Sequence, residues 1–291
     1  MRTRLILWIF ATFATINGLS QSAPTDHYFE SDGFKLRYID EGAGEPVLLI
    51  HGFTVTLEMW VHTGISAALQ KAGYRVIAYD LRGHGRSDKP HGADQYGMPS
   101  VEDIVHLLDH LEIRRAHLVG YSRGGLIANG FLNRRPDRIR SVTFGGYGND
   151  GQTSGPVASM DRTKVAAAIA QGDFGPFMRG RSPLDQPDPS PEQIARINKM
   201  IFGRNDPKSL AASFLGDGTV PTLTRAQLET NTVPVLALIG ENDYFKVEVD
   251  KMASVMNNLE VLIIPKADHM QAAGRPEFIT GLLGFLIKHG E

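Results

Sequence analysis

Residues 116 to 126, with the sequence AHLVGYSRGGL, decide which fold the chain is expected to adopt. An apolar run that ends at Gly120 predicts a buried strand, and a helical pattern begins near Gly124. Ser122 lies between them in Gly120-Tyr121-Ser122-Arg123-Gly124, which has the form G-x-S-x-G. A nucleophile on a tight strand-to-helix turn needs small neighbours because its own backbone is strained. The stretch therefore predicts a nucleophilic serine at the carboxyl end of a strand.

Strands and helices alternate along the chain on both sides of this stretch. Seven short runs are predicted as strands: 34 to 39, 46 to 50, 74 to 79, 116 to 120, 139 to 144, 233 to 239 and 259 to 264. Helices are predicted at 66 to 71, 126 to 134 and 278 to 287, and also after Ser100, which with Asp103 resembles a capping box. Such alternation is typical of βαβ units. We therefore predict an α/β fold with a mostly parallel central sheet flanked by helices.

The alternation stops between residues 147 and 231. Helical patches at 162 to 170, 191 to 201 and 209 to 215 occur there without a strong strand, and three prolines make residues 182 to 189 a connector. This segment is longer than an ordinary connection between core elements. We predict a core formed by residues 23–146 and 232–291, with a helical cap at 147–231.

The first 22 residues have the layout of a secretory signal peptide. Arg2 and Arg4 precede an apolar run from 5 to 16, and small or polar residues follow up to 23. The run is too short to cross a bilayer, which takes about 20 residues. The prediction is a secreted or periplasmic protein with no stable membrane span in its mature form.

Composition excludes several classes of function. With 30 basic and 32 acidic residues the formal charge is −2, which does not indicate a nucleic-acid-binding surface. The chain has no cysteine, so disulfides, thiol catalysis and zinc–thiolate sites are excluded. A small-molecule substrate is the expected partner.

Ser122 needs a base, because a serine hydroxyl is a poor nucleophile at its free pKa. His269 follows the last predicted strand, where a loop can bring it over the carboxyl edge of the sheet. Asp243 follows the preceding strand and is the candidate acid that orients the histidine, so the order along the chain is Ser, Asp, His. Three other acids stay open as alternatives for that role: Asp150, Glu241 and Asp268.

These segments resemble those of the α/β-hydrolase-fold serine hydrolases, which have this triad order and a cap inserted late in the sheet. His51-Gly52-Phe53 follows the strand at 46 to 50, as in the family's oxyanion loop. Residues 80–87, DLRGHGRS, resemble the family's glycine-rich loop, and residues 274–286 its terminal helix. The resemblance covers about residues 27 to 290. It implies an oxyanion hole formed by the N–H groups of Phe53 and Arg123, with His51 a structural residue that holds the loop.

Two residues depart from the family pattern. Arg123 stands where an apolar residue is more usual, and Asp268 replaces the glycine usual before the histidine. Neither departure removes a backbone donor or a triad atom. Both are expected to alter the mouth of the pocket and local pKa values.

The resemblance implies hydrolysis of carboxylic esters or lactones through an acyl-enzyme on Ser122, without cofactor or metal. It leaves open a carbon–carbon bond or amide hydrolase that uses the same triad. A binding protein that keeps the fold but turns over slowly is a further alternative. Epoxide hydrolases and haloalkane dehalogenases are disfavoured, because relatives with those activities carry aspartate in place of Ser122.

Three other patterns carry less weight. Residues 146–151, GYGNDG, match the dinucleotide fingerprint G-x-G-x-x-G but open no helix, so we interpret them as an exit into the cap. His106 and His110 have the spacing of metal ligands, yet no third ligand is apparent and a solvated helix face is predicted. Several apolar residues of the cap are interpreted either as an acyl pocket or as ordinary packing: Phe174, Phe177, Met178, Met200 and Phe202.

Overall fold

The computed structural model describes residues 24–151, 160–179 and 181–290, so the predicted signal peptide lies outside the described residues. Eight strands form one sheet in the order β1-β2-β4-β3-β5-β6-β7-β8. The strands are β1 (His27–Ser31), β2 (Phe34–Glu41), β3 (Pro46–Ile50), β4 (Arg75–Tyr79), β5 (Ala116–Tyr121), β6 (Ile139–Gly145), β7 (Val235–Gly240) and β8 (Leu259–Ile264). β2 pairs antiparallel with β1 and β4, and all pairings from β4 to β8 are parallel.

The register aligns the carboxyl ends of the central strands. Ile50 pairs with both Tyr79 and Gly120, and Tyr121 pairs with Gly145. The loops that leave β3, β4, β5 and β6 therefore start at one edge of the sheet. This is the edge at which open α/β sheets bind their ligands.

Eleven α-helices occur in the described part of the chain. They are α1 (Glu58–His62), α2 (Ile65–Lys71), α3 (Met98–His110), α4 (Arg123–Arg134), α5 (Arg162–Ala170), α6 (Gly175–Met178), α7 (Pro191–Phe202), α8 (Pro207–Gly216), α9 (Arg225–Glu229), α10 (Lys246–Ala253) and α11 (Pro276–His289). Helices α3, α4 and α10 cover one face of the sheet, and α1, α2 and α11 cover the other. Since β3 and β5 are buried on both faces, β3 is continuously apolar and β5 is apolar apart from His117, as expected of central parallel strands. The predicted α/β fold is therefore confirmed.

Helices α5 to α9 all lie between β6 and β7, and the described residues of this segment contain no strand. Helices α5 to α8 share an apolar cluster of their own, which also takes in Phe53 from the core. By contrast, Val220, Leu223 and Leu228 pack in the cluster formed with α3 and α4. The last part of the segment is thus seated on the core. We call residues 147–231 the insertion.

The predicted capping box at Ser100 is wrong. Helix α3 begins two residues earlier, at Met98, after Gly97 in a left-handed conformation (φ 70°) that suits glycine. Ser100 is fully buried within the helix, and Asp103 forms a buried ion pair with Arg82. A buried guanidinium needs an anionic partner, so Asp103 pairs with Arg82 and does not cap the helix.

The solvated face predicted for His106 and His110 is confirmed in part, because His110 is exposed whereas His106 is half-buried. His106 Nδ1 lies 2.7 Å from Ser31 Oγ, and His110 Nε2 lies 3.2 Å from the Tyr38 hydroxyl. The two histidines therefore contact β1, which is an edge strand, and its neighbour β2. No helix of the described residues combines the length and apolar character needed to span a bilayer.

Candidate active site

Ser122 occupies a strained turn between β5 and α4. Its backbone has φ 54° and ψ −113°, a combination that non-glycine residues rarely adopt. The turn is held by the Ser122 N–H, which donates to the Gly145 carbonyl at 2.8 Å. Gly124 is required for close packing, because a Cβ there would lie 2.0 Å from the Ile50 carbonyl oxygen. The serine side chain is half-buried at the carboxyl edge of the sheet.

The structure brings Ser122, His269 and Asp243 into one hydrogen-bonded series. His269 Nε2 lies 2.9 Å from Ser122 Oγ, and His269 Nδ1 lies 2.9 Å from Asp243 Oδ2. An ionised carboxylate only accepts hydrogen bonds, so Nδ1 carries the hydrogen and Nε2 presents a lone pair to the serine hydroxyl. In this tautomer the imidazole can accept the serine proton.

Asp243 is placed by the turn that follows β7. Its side chain is fully buried, and Oδ1 accepts the Phe245 N–H at 2.8 Å, which leaves Oδ2 for the histidine. Two of the competing acids are engaged elsewhere. Glu241 accepts the Lys266 N–H at 2.8 Å, and Asp268 accepts two backbone N–H groups of the turn after His269. The carboxylate hydrogen-bonded to Nδ1 belongs to Asp243, and not to Asp150.

Aromatic rings hold the His269 imidazole in place. The Tyr244 ring lies 4.6 Å from it and the Tyr121 ring 5.5 Å, measured between ring centroids. The Tyr121 hydroxyl also donates to the His269 carbonyl at 2.5 Å. On the remaining side Gly146, with φ 56°, lets the ring approach, since a Cβ there would lie 3.0 Å from Cε1. The segment that matches a dinucleotide fingerprint thus makes room for the histidine.

Two backbone N–H groups are available beside Ser122. Arg123 is the first residue of α4, so its N–H has no acceptor within the helix. The loop after β3 lies against the serine, since a Cβ on Gly52 would be 3.5 Å from Ser122 Cβ. Within the described residues no acceptor takes the Phe53 N–H. These two donors are the ones that the sequence predicts for an oxyanion hole.

His51 supports the loop that carries Phe53. Its ring is fully buried, and Nε2 accepts the Leu81 N–H at 3.0 Å, so Nδ1 carries the hydrogen and donates to the Gly52 carbonyl at 2.7 Å. Burial lowers the pKa of His51 to about 4, despite the opposing effect of Asp80. The imidazole is neutral at physiological pH and tethers the ends of β3 and β4. This position agrees with a structural role.

Arg123 connects the serine turn to the insertion. Its Nε lies 2.8 Å and 3.0 Å from the two carboxylate oxygens of Asp217, next to the end of α8, and both side chains are almost completely buried. The arginine after Ser122, which departs from the family pattern, therefore faces the insertion. Sequence reasoning missed Asp217, because nothing in its local pattern distinguishes it from a surface acid.

An aromatic cluster from the insertion packs over the oxyanion loop. The Phe53 ring lies 5.4 Å from Phe177, 5.9 Å from Phe174 and 6.3 Å from Phe214. Two of the apolar residues singled out in the sequence, Phe174 and Phe177, thus reach the site, whereas Met200 is largely exposed. Phe214 and Tyr244 were not foreseen, and an aromatic residue directly after the candidate acid Asp243 is a signal that could have found Tyr244.

No group of three or more histidine, aspartate or glutamate side chains within the described residues is arranged to hold a metal ion. The groups gathered at the site are a hydroxyl, an imidazole, a carboxylate and two free amides. Together they have the geometry of a nucleophile, its base, the base's orienting acid and an anion-binding pair.

Known proteins with related sequences and structures share this architecture. A putative 2-succinyl-6-hydroxy-2,4-cyclohexadiene-1-carboxylate synthase of Bacillus subtilis is 30% identical over 277 residues, which cover 87% of this chain and 97% of that protein. An epoxide hydrolase of Caballeronia sordidicola is 36% identical over 157 residues, covering 54% of this chain and 46% of that protein. A thermophilic esterase from Thermogutta terrifontis, solved with malate bound, is 27% identical with a TM-score of 0.73, covering 92% of this chain and 100% of that one.

The family model for the α/β hydrolase fold matches residues 45–273, which include β3 to β8, the insertion and all three residues of the hydrogen-bonded series. This range is more than half of the chain. The sheet order and the strand-to-helix turn at Ser122 agree with it. The chain is therefore an enzyme of the α/β hydrolase superfamily and belongs to the α/β hydrolase fold family.

Proposed function

We propose that this enzyme is a serine hydrolase that cleaves carboxylic esters, including lactones, through an acyl-enzyme on Ser122. The observation that carries the proposal is the series Ser122 Oγ–His269 Nε2–Nδ1–Asp243 Oδ2, with 2.9 Å at each hydrogen bond. It lies on a strained turn beside two free N–H groups. The esterase from Thermogutta terrifontis, with a TM-score of 0.73, supports the same class of reaction.

In the first half of the reaction, Ser122 Oγ attacks the carbonyl carbon of the ester as its proton passes to His269 Nε2. The carbonyl π electrons move to oxygen, and the Phe53 and Arg123 N–H groups stabilise the resulting oxyanion. Each such donor contributes about 3 kcal/mol to lowering the barrier. Asp243 stabilises the imidazolium. The C–O bond then breaks, and the leaving oxygen takes the proton from His269.

In the second half, water replaces the alcohol. His269 Nε2 takes a proton from the water as its oxygen attacks the acyl carbon, and the same two amides hold the oxyanion. The bond to Ser122 Oγ breaks, and His269 returns the proton to the serine. The acid is released, and the hydrogen-bonded series is restored.

The match to an epoxide hydrolase does not favour epoxide opening. Relatives with that activity carry aspartate at the nucleophile position, where its carboxylate forms an ester with the opened ring. This chain has Ser122 there, and its hydroxyl suits attack on a carbonyl carbon. The similarity to the Bacillus subtilis synthase favours no particular hydrolytic substrate, so the proposed ester hydrolysis has to be tested by an assay.

The decisive assay uses 4-nitrophenyl butyrate with the wild-type enzyme, Ser122→Ala and Ser254→Ala, an exposed serine at the end of α10 as the matched control. We expect Ser122→Ala to reduce kcat/KM at least about 10³-fold, and Ser254→Ala to match the wild type. A fluorophosphonate should label the wild type at Ser122 alone, as read by peptide mass spectrometry. Equal rates for wild type and Ser122→Ala would remove the proposal, and labelling without turnover would favour a slow binding protein.

We also propose that the enzyme is exported and that the insertion acts as a cap over the site. The charged, apolar and small-residue layout of the first 22 residues supports export. The contacts of Phe174, Phe177 and Phe214 with Phe53 support the cap. Amino-terminal sequencing of protein recovered from a secreting host should give a new start near residue 21 or 23. A start at residue 1 or 2 would contradict export.

A further inference from the structure

Arg123 of the core and two arginines of the insertion, Arg162 and Arg181, are buried or half-buried close enough to interact electrostatically, and only one carboxylate is paired with them. Arg123 is bound to Asp217 through Nε, while its Nη1 and Nη2 are buried without a partner among the described residues. Arg162 donates from Nη2 to the Phe214 carbonyl, and its Nε is buried and unpartnered. Arg181, which is 5% exposed, donates from Nη1 to the Phe177 carbonyl at 2.7 Å.

Arg162 and Arg181 have no carboxylate within ion-pair distance in the described part of the chain. Asp217 balances only one of the three positive charges. The other carboxylate at the site, Asp243, is taken up by His269 and a backbone N–H. Burial lowers the pKa of both Arg162 and Arg181, which is the response of a cation placed in a poorly solvated position. Buried positive charge that no carboxylate neutralises is unfavourable for folding, and an anion bound beside it would offset that cost.

The two arginines that lack a carboxylate partner each lie one aromatic ring away from Phe53 of the oxyanion loop. The Arg181 guanidinium sits 4.3 Å from the centre of the Phe177 ring, which is 5.4 Å from the Phe53 ring. The Arg162 guanidinium sits 4.3 Å from the centre of the Phe214 ring, which is 6.3 Å from Phe53.

Tyr244 lies between Arg181 and His269. Its ring stacks 4.6 Å from His269, and its phenol interacts electrostatically with Arg181. The two guanidinium groups therefore lie directly behind the rings that pack on Phe53, and Arg181 also lies near the ring that stacks on His269. A carboxylate fits them because a guanidinium presents paired donors to its two oxygens.

We propose that Arg181, assisted by Arg162, binds a carboxylate carried by the substrate, so that the preferred substrates are anionic esters such as half-esters of dicarboxylic acids. This inference rests on the proposed ester hydrolysis at Ser122. It adds a substrate class that the hydrogen-bonded series alone does not specify. The carboxylate remains bound while the neutral ester group reacts, so the arginines act on binding and orientation.

The test compares pairs of esters that differ only in charge. Mono-4-nitrophenyl glutarate and 4-nitrophenyl valerate have the same acyl chain, with a carboxylate in place of the terminal methyl group. 4-Acetoxybenzoate and 4-acetoxybenzamide place the charge on the leaving group instead. With uncatalysed hydrolysis subtracted, we expect kcat/KM to favour the anionic member of at least one pair by roughly 10- to 100-fold, chiefly through KM. Ratios near one for both pairs would overturn the inference.

Variants then assign the preference to the arginines. Arg181→Gln should bring the preferred ratio close to one, Arg162→Gln should lower it less, and Arg181→Lys should keep part of it through the retained charge. Arg196→Gln is the matched control, because Arg196 is exposed on α7 of the same insertion. It should keep the wild-type ratio. An anionic preference that survives in both Arg181→Gln and Arg162→Gln would overturn the assignment.

The outcome is separable from that of the ester hydrolase proposal. Hydrolysis that depends on Ser122 but ignores substrate charge would leave the proposed reaction standing and remove the anionic substrate. If no ester is hydrolysed, calorimetric titration of glutarate still tests the site. Binding that is at least about tenfold weaker in Arg181→Gln than in the wild type would support it, and equal binding or none would refute it.

Discussion

Asp243 determines which nitrogen of His269 faces Ser122, and a single atom change tests this. In Asp243→Asn the amide can donate as well as accept, so the imidazole loses both its fixed tautomer and the charge that stabilises the imidazolium. We expect kcat for 4-nitrophenyl butyrate to fall about 10³- to 10⁴-fold while far-ultraviolet circular dichroism stays unchanged.

Glu241→Gln is the control for this substitution, because Glu241 was a competing candidate and contacts the Lys266 N–H. It should retain wild-type kcat. A large loss of kcat in Glu241→Gln together with a small loss in Asp243→Asn would assign the orienting role to Glu241 instead of Asp243.

Gly124 and Gly284 give opposite predictions for the same substitution. A Cβ at Gly124 would lie 2.0 Å from the Ile50 carbonyl oxygen, and backbone atoms cannot move aside easily. A Cβ at Gly284, on the exposed side of α11, meets nothing within 4 Å. We expect Gly124→Ala to yield little folded protein, and Gly284→Ala to stabilise the fold by about 0.5–1 kcal/mol because alanine favours the helix. Thermal denaturation measures both, and equal melting temperatures would contradict the packing argument.

Among the secondary-structure elements, the buried strands could be predicted from sequence and the edge strand β1 could not. β3 is a continuous apolar run, and β5 is interrupted only by His117, because both faces of each strand are covered. β1, with the sequence HYFES, was missed because only Phe29 and Ser31 point inward, which leaves too few apolar residues for a pattern. The start of α3 was misplaced because Gly97, rather than a side-chain cap, begins the helix.

The same contrast holds for the site. Ser122, Asp243 and His269 each follow a predicted strand, so local sequence was enough to propose them. Asp217 and Tyr244 act through contacts with residues that are distant in sequence or in another loop. The role of Asp217 depends on where the insertion folds back, and that of Tyr244 on how the loops after β7 and β8 meet, neither of which local periodicity encodes.

The contact between α4 and the end of α8 is a buried ion pair whose loss should destabilise the fold. Arg123→Met leaves the Asp217 carboxylate buried without its partner, and we expect unfolding to require about 3 kcal/mol less free energy. The double variant Arg123→Met/Asp217→Asn should recover most of the lost free energy of unfolding, since no buried charge then lacks its partner. Urea titrations followed by circular dichroism give the three values.

Arg135→Met is the surface comparison, because Arg135 pairs with Asp137 in an accessible position. Its effect should stay below about 1 kcal/mol. If Arg123→Met destabilised the protein as little as Arg135→Met, the pair of Arg123 and Asp217 would not hold the insertion on the core.

Across the whole molecule, buried neutral histidines predict a loss of stability in mild acid. Burial lowers the pKa of His51 to about 4, whereas in the unfolded chain it is near 6.5. The folded state therefore favours the neutral ring, and its contribution is complete above pH 6.5 and is lost as the pH falls towards 4. For His51 the loss between pH 7 and pH 5 is about 2 kcal/mol.

Urea unfolding of the wild type and of His51→Gln at pH 7 and pH 5 isolates this contribution. The variant should lose about 2 kcal/mol less than the wild type over that interval. His84 and His117 are also buried with lowered pKa values, so part of the acid sensitivity should remain in the variant. Identical losses in the two proteins would contradict a neutral buried His51.

The ion pair between Arg123 and Asp217 also has a consequence for how such enzymes diverge in evolution. An arginine directly after the nucleophile is tolerable only in a chain whose insertion supplies an acid at the end of α8. The two positions should therefore have been gained and lost together among homologues. Suppose that this insertion is grafted onto a relative with an apolar residue after its serine. The graft brings in the acid at position 217, so the apolar residue must be replaced by arginine at the same time. Either change alone leaves a buried charge without its partner. Exchange of insertions between lineages is thus restricted by one pair of side chains.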